Sequence, residues 1–486
     1  MPSTHSDTER YLHKRMTHEH GHWKSCLLLT LVLFVATWAD LARAQKMRGG
    51  RAEGKRKGKP RPRYYPVLPP PNSSHWDGHE YPVGHNNFGV RVPFYLHSGG
   101  GFDAFTASCD AYQFSKSVDV SWLNRLDRHP WRVMDPADAL VFVVPGMFTS
   151  ATFGVVKRCR RSLEDMSREL LDALHASPHF QRNHGRDHVL VASFNAAEKY
   201  LSDKDRSNGW GVTVANMTIG PHVSGHMFTS KRACVVPVGH QATSPEHRAP
   251  PKITSTLFFM GQAVGKGYYA ARRAVLDPVV MEGIGENNQL LATQCNGINK
   301  SGTMISDTFP MCGSPAAAGL ANPNHGCCLG NRIPYELYIQ KFTSSSFALS
   351  MRGGDAGSSR TFDAIAMGVP QIVIADKFYS EYAPFQCTVP WHKFVYYVES
   401  EEAVVNNTRA VMAKALAEAL PRRKQMKRVQ DSFMDDLLWT NAGSLAANNL
   451  LVEVAKKCLP PPTQHASAAA RQARAIIDAH SCVPLD

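Results

Sequence analysis

The spacing of apolar residues changes period several times along the chain. Residues 139–145, ALVFVVP, form a short continuous apolar run closed by Pro-Gly, which predicts a strand buried on both faces. Residues 160–175, RRSLEDMSRELLDALH, set Leu163, Met166, Leu170, Leu171 and Leu174 at helical spacing, and residues 188–194, HVLVASF, read as a second buried strand. Strand, helix, strand is the unit that builds a parallel sheet. A Pro/Ser/His-rich segment, 239–252, then interrupts the order. Beyond it come a strand at 253–260, a glycine loop at 261–267, a helix through Leu276, a helix near 334–342, a strand at 346–350 and a helix at 360–367. Two such runs predict an α/β chain of two Rossmann-like, doubly wound domains facing a cleft, 81–248 and 249–410. A helical, alanine-rich tail, 411–486, follows.

The N-terminal pattern is different. Residues 26–39, CLLLTLVLFVATWA, are the most apolar in the chain, though short of the roughly 20 residues that span a bilayer comfortably. Lys24 precedes them and Ala42-Arg43-Ala44 follows with a spacing that a signal peptidase accepts. The polar segment 1–25 is long for a cleaved signal, which favours an uncleaved signal anchor at 26–44. Either version delivers the body to the secretory pathway. The formal charge of +13 is concentrated in 46–63, where nine basic residues meet one acidic residue. This Gly/Pro-rich run has no apolar period, so residues 45–80 are expected to be a disordered stem. Neither zinc-finger spacing nor an aromatic RNA-binding signature is present, and no nucleic-acid partner is expected.

Two features agree with an oxidising lumen. Asn72, Asn216, Asn299 and Asn406 each begin an N-x-[ST] triplet. Of the 11 cysteines, Cys295, Cys312, Cys327 and Cys328 fall within 294–331, a Gly/Asn/Pro/Ser-rich segment with no apolar period. It reads as a disulfide-tied loop inserted in the second domain, with its connectivity open. Zinc is disfavoured because no C-x-x-C or nearby histidine pair supplies ligand spacing.

The candidate chemistry lies in residues 350–376, SMRGGDAGSSRTFDAIAMGVPQIVIAD. This stretch joins a strand to a helix, the position where doubly wound sheets bind ligands beyond the carboxyl ends of their strands. Gly353, Gly354 and Gly357 allow close approach of a ligand to the backbone. Free N–H groups at the helix start favour an anion such as a diphosphate. Ser358, Ser359 and Arg360 add hydroxyls and a planar charged fork, and Asp363 lies one turn on, where a carboxylate accepts from ribose hydroxyls. The same residues also suit a plain N-cap, a carboxylate complementing the helix dipole, and an i,i+3 ion pair.

These residues carry a resemblance. Residues 346–349 (SFAL), 352–355 (RGGD), 358–365 (SSRTFDAI) and 368–376 (GVPQIVIAD) resemble, in order, the signature of the exostosin-like glycosyltransferases of family 47. The likeness continues through 383–385 (APF) and 391–394 (WHKF), and upstream in 135–145 (DPADALVFVVP) and 185–188 (GRDH). It implies a GT-B glycosyltransferase of two Rossmann-like domains, usually a single-pass type II Golgi membrane protein, secreted if its N-terminal segment is cleaved. Such enzymes transfer a sugar from a nucleotide sugar to a glycan with inversion, generally with no cofactor and no essential metal. Carried onto this chain, Arg352, Ser358, Ser359 and Arg360 hold the diphosphate and Asp363 the ribose. Gly261 and Arg272 or Arg273 line the same cleft.

Charge growing on the departing diphosphate is stabilised by a helix N-terminus and arginine, and the general base comes from the first domain. Asp187 and His188 are the candidates there. The chain departs from the family pattern at Met351, where a proline usually precedes the R-G pair, at Ala233, where an aspartate is usual, and at Asn195, near a common acidic position. Those departures motivate a second reading, a non-catalytic partner subunit or glycan-binding protein of the same fold. Oligomeric state, homo or hetero, is open.

Overall fold

The computed structural model describes residues 90–479 apart from 109–117, 149–160, 184, 193–217, 222–233, 235, 240–251, 263–268, 293–296, 299–303, 306–324, 329–334, 354–357, 399, 442 and 462–465. These belong to one unit, Val67–Asp486. The apolar segment 26–39, the stem, Asn72, Asn195, Asn216, Ala233, Asn299 and most of the 294–331 insertion lie outside the described residues.

The first half builds a four-stranded parallel sheet. Strand β1 (Phe94–Leu96) leads through two helices, α1 (Ala104–Ser108) and α2 (Val118–Leu126), to β2 (Val141–Val143). Helices α3 (Leu163–Ala176) and α4 (Pro178–Asn183) return the chain to β3 (His188–Ala192), and β4 (Thr218–Pro221) completes the order β1-β2-β3-β4. Helix α3 starts at Leu163 rather than 160 because Ser162 caps it, its Oγ accepting from Asp165 N–H at 3.0 Å. Met166, Leu170, Leu171 and Leu174 are all buried, as their spacing predicts.

The second half builds a six-stranded parallel sheet. Its elements are β5 (Ser255–Gly261), α5 (Ala270–Leu276), β6 (Gln289–Ala292), the short antiparallel pair β7 (Gly297–Ile298) and β8 (Met304–Ile305), and β9 (His325–Cys328). Then come α6 (Tyr335–Thr343), β10 (Ser345–Met351), α7 (Ser359–Met367), β11 (Gln371–Ile374) and β12 (Val395–Val398). The order is β12-β11-β10-β5-β6-β9. The chain winds one way from β5 to β9, then crosses back to β10 and winds the other way. The pair β5 and β10 is therefore the switch point of a doubly wound sheet. Strand β9 is a departure from expectation, since 294–331 reads as loop. A Gly-Cys-Cys edge strand carries neither alternation nor a β-branched run to announce it.

The C-terminal residues form helices: α8 (Glu401–Asn406), α9 (Thr408–Ser432), α10 (Met434–Leu437), α11 (Ala446–Lys457) and α12 (Ala468–Ala479). One hydrophobic core joins them to both sheets. It contains Phe94, Val141 and Val189 of the first sheet, Phe362 and Ile365 from the underside of α7, and Trp439, Leu450 and Ile477 of the C-terminal helices. Arg125 of α2 spends its guanidinium on this return, donating from Nη2 to Trp439 O at 2.7 Å. Trp439 Nε1 donates to Val238 O at 2.9 Å, and a disulfide joins Cys234 to Cys458 across 224 positions of sequence. Cys387 is also disulfide-bonded. Gln430 of α9 donates to Ala364 O at 3.1 Å and Val369 O at 3.2 Å, fixing the last turn of α7, which Gly368 ends with φ of 66°.

Candidate active site

The carboxyl ends of β5 and β10 are stapled together by one side chain. Arg272 of α5 donates from Nη1 to Gln262 O at 2.7 Å and from Nη2 to Met351 O at 2.9 Å. Its guanidinium is buried and lies over the rings of Tyr269, at 4.8 Å, and Phe259, at 5.4 Å. An arginine so committed to backbone carbonyls sets the distance between two strand ends. Arg273, next along the short helix, is partly exposed.

Phe259, fully buried in β5, also carries Arg360 on its ring, with the guanidinium carbon 5.3 Å from the centroid. Arg360 Nη1 donates to Ser358 Oγ at 3.0 Å, and that oxygen also accepts from the Arg360 backbone N–H at 3.3 Å, making Ser358 the N-cap of α7. The cap is held from behind, since Tyr382 donates from its hydroxyl to Ser358 O at 2.8 Å. Gly261 ends β5 directly under Arg360: a Cβ there would lie 2.7 Å from Arg360 Nη2 and 2.9 Å from the Phe259 ring. Ser359 is exposed beside the cap. Asp363, one turn on, accepts from the Tyr338 hydroxyl at 3.1 Å.

Arg352 follows β10, its backbone N–H donating to Ile374 O at 3.0 Å. Its Nη1 is 3.8 Å from Glu401 Oε1, while its Nε is buried without a partner. Glu401 in turn exchanges bonds with Asp376: the Asp376 N–H donates to Glu401 Oε1 and the Glu401 N–H to Asp376 Oδ1, both at 2.8 Å. Burial pushes the Glu401 carboxyl up, against the pull of the Asp376 backbone N–H and Arg352. Gly261, Arg272, Arg352, Ser358 and Arg360 thus gather around the switch point, with Asp363 on the same helix.

Asp187 and His188 lie elsewhere, at the amino end of β3 in the first sheet. His188 is fully buried, between Phe142, stacked at 4.9 Å, and Phe180, edge-on at 4.9 Å. Its Nδ1–H donates to Asp187 Oδ1 at 2.8 Å, which leaves Nε2 to accept from His97 Nε2–H at 3.1 Å. Burial holds His188 below the ordinary imidazole pKa and, with the neighbouring His188 and His179, pushes His97 down to about 3. Burial pushes the Asp187 carboxyl up, but the His188 bond, Asn183 and Arg182 outweigh it and hold it below its usual range. The result is an ionised carboxylate bonded to a chain of two neutral imidazoles inside an aromatic cluster.

Phe259 as a platform, and Tyr338, Tyr382 and Glu401 as supports, are functional neighbours that the sequence pattern does not single out. The F-F-x-G pattern at 258–261 contained the signal for the first. Tyr382 directly precedes the 383–385 (APF) match, but its bond to Ser358, like the places of Tyr338 and Glu401, is set by the fold.

A four-stranded and a six-stranded parallel sheet in one α/β chain have the architecture of the GT-B type of fold. The Exostosin GT47 domain matches residues 89–413, which take in both sheets and every site residue named above; the chain belongs to that family and is a glycosyltransferase. No curated protein matches the chain. Among solved structures, a glycosyltransferase from Rickettsia africae ESF-5 is similar at 8% identity, over 76% of this chain and 99% of that one, with a TM-score of 0.34. Anabaena Alr3699/HepE, in complex with UDP-glucose, is similar at 9% identity, over 74% of this chain and 99% of that one, with a TM-score of 0.35. Likenesses this distant say nothing about chemistry.

Proposed function

We propose that this chain transfers a sugar from a UDP- or GDP-sugar to a polysaccharide or glycoprotein glycan, inverting the anomeric carbon. The supporting observation is Arg360, held on Phe259 above a glycine, with its guanidinium and the N-terminus of α7 converging at the switch point. There Arg360, Ser358 and Ser359 receive the diphosphate, Arg352 approaches from the end of β10, and Asp363 takes the ribose. Charge developing on the leaving diphosphate meets donors already in place, so an essential metal is not required. In this reading Asp187 and His188 brace the first sheet, because a fully buried imidazole cannot reach an acceptor hydroxyl. The base belongs at the carboxyl ends of the first sheet. Residues 26–44 anchor the body in the Golgi membrane as a single-pass type II protein, or release it if cleaved.

The test is calorimetric titration of the full chain with a panel of UDP- and GDP-sugars, followed by transfer assays. Binding of one donor, lost in Arg360→Ala, supports the reading. Failure to bind any donor favours the non-catalytic partner subunit or glycan-binding protein.

A further inference from the structure

Helix α6 enters the second sheet's core and carries one polar group to the face of α7. Tyr338 packs its ring edge-on against Phe258 of β5, centroids 5.7 Å apart, and against Phe342 of its own helix at 5.5 Å. Phe258 and Phe342 are themselves buried, in a cluster that also holds Ala364 and Met367 of α7. The place of the phenol is thus set by the core and not by a rotamer choice at the surface. Its hydroxyl donates to Asp363 Oδ2 at 3.1 Å.

We infer that Tyr338 is a positioning residue that orients the Asp363 carboxylate for ribose recognition. This rests on the donor site proposed above and extends it by one residue. A carboxylate on a helix surface turns about its own side-chain torsions, and a hydrogen bond to one oxygen selects one plane. Burial and the adjacent Asp363 charge raise the Tyr338 pKa well above its ordinary value, so the phenol remains a donor throughout the working range. A site that orients a carboxylate toward a sugar hydroxyl penalises a ligand lacking it, because the acceptor is then left short of a donor. Tyr338 therefore acts on discrimination between ribose and deoxyribose, more than on binding in general.

The test uses the full chain and four probes: UDP, GDP and the 2′-deoxy form of each. Tyr338→Phe keeps the ring that packs on Phe258 and Phe342 and removes only the hydroxyl. For whichever ribonucleotide the unmodified chain prefers, the variant is expected to bind about tenfold more weakly while its deoxy counterpart is unaffected, so the ratio collapses. In transfer assays the same variant raises KM for the donor and leaves kcat in place. An unchanged ratio, or equal weakening of both forms, overturns the inference, the latter marking a merely structural role. Asp363→Asn separates this from failure of the donor site itself: if that variant also keeps the full ratio, or the unmodified chain shows no preference for ribose, the ribose assignment falls and Tyr338 falls with it.

Discussion

Arg360 rests on the face of Phe259, 5.3 Å from centroid to guanidinium carbon, while its Nη1 bonds Ser358 Oγ at 3.0 Å. The ring fixes the plane of the fork and the serine fixes its rotation. Arg360→Ala is expected to lower transfer by about 100-fold, on the scale of removing one donor from a transition-state anion site. Arg360→Lys should recover little, since an ammonium neither stacks as a plane nor presents a fork. Steady-state kinetics with the donor found by titration checks both, and full activity in the alanine variant would remove Arg360 from the site.

Gly261→Ala tests the same geometry from beneath. The new methyl would sit 2.7 Å from Arg360 Nη2 and 2.9 Å from the buried Phe259 ring. The arginine is the part able to move, so donor KM should rise about tenfold. Thermal melting beside kinetics tells displacement of Arg360 from general loosening of β5.

Chelation should leave transfer unchanged. If, as proposed, arginine and a helix N-terminus face the leaving group, EDTA removes nothing the reaction needs. Loss of activity with EDTA, restored by a divalent cation, would show that the diphosphate is neutralised by a metal.

The Cys234–Cys458 disulfide closes a loop across 224 positions. Cys458→Ser should cost about 3 kcal/mol of stability, read as a lower Tm, and reductant should lower the Tm of the unmodified chain in the same direction. Equal melting of the two proteins would show that the surrounding packing suffices without the bond.

Acid should destabilise the fold through His129. Its Nδ1 accepts from Trp131 N–H at 3.1 Å and its Nε2 pairs with Asn448 Oδ1 at 3.2 Å, so both ring nitrogens are used by the neutral form. Burial pushes its pKa from 6.5 to about 4. The unfolded chain therefore binds a proton that the folded chain refuses between those values. Stability from this residue is complete above pH 6.5 and is lost as pH falls toward 4. Thermal melts across pH 4 to 7 should show a shallower slope in His129→Gln than in the unmodified chain.

Long elements were legible in the sequence because their burial is periodic. Leu163 to Leu174 announced α3, and the runs at 139–145 and 188–194 announced β2 and β3. The strands β1, β6 and β12 were not: β2 is no longer than these, but it sits inside the apolar run 139–145 closed by Pro-Gly, a context that the other three lack. In the site, Ser358, Arg360 and Asp363 were visible because a helix start concentrates its chemistry in consecutive residues. Arg272 was visible as a residue but not as a staple: which carbonyls it meets depends on the 79 positions that separate it from Met351. Asp187 and His188 stood out as polar residues beside an apolar run, yet their surroundings come from three separate places in the chain: Phe142 of β2, Phe180 of α4 and His97 just after β1.

The return of the C-terminal helices onto the first sheet has a consequence in time. Trp439, Leu450 and Ile477 complete a core whose other walls, Phe94, Val141 and Val189, leave the ribosome some three hundred residues earlier. Cys234 must likewise wait for Cys458. The core of the first half is therefore completed only once these helices have been translated, and until then the apolar surface they cover is open to misassociation.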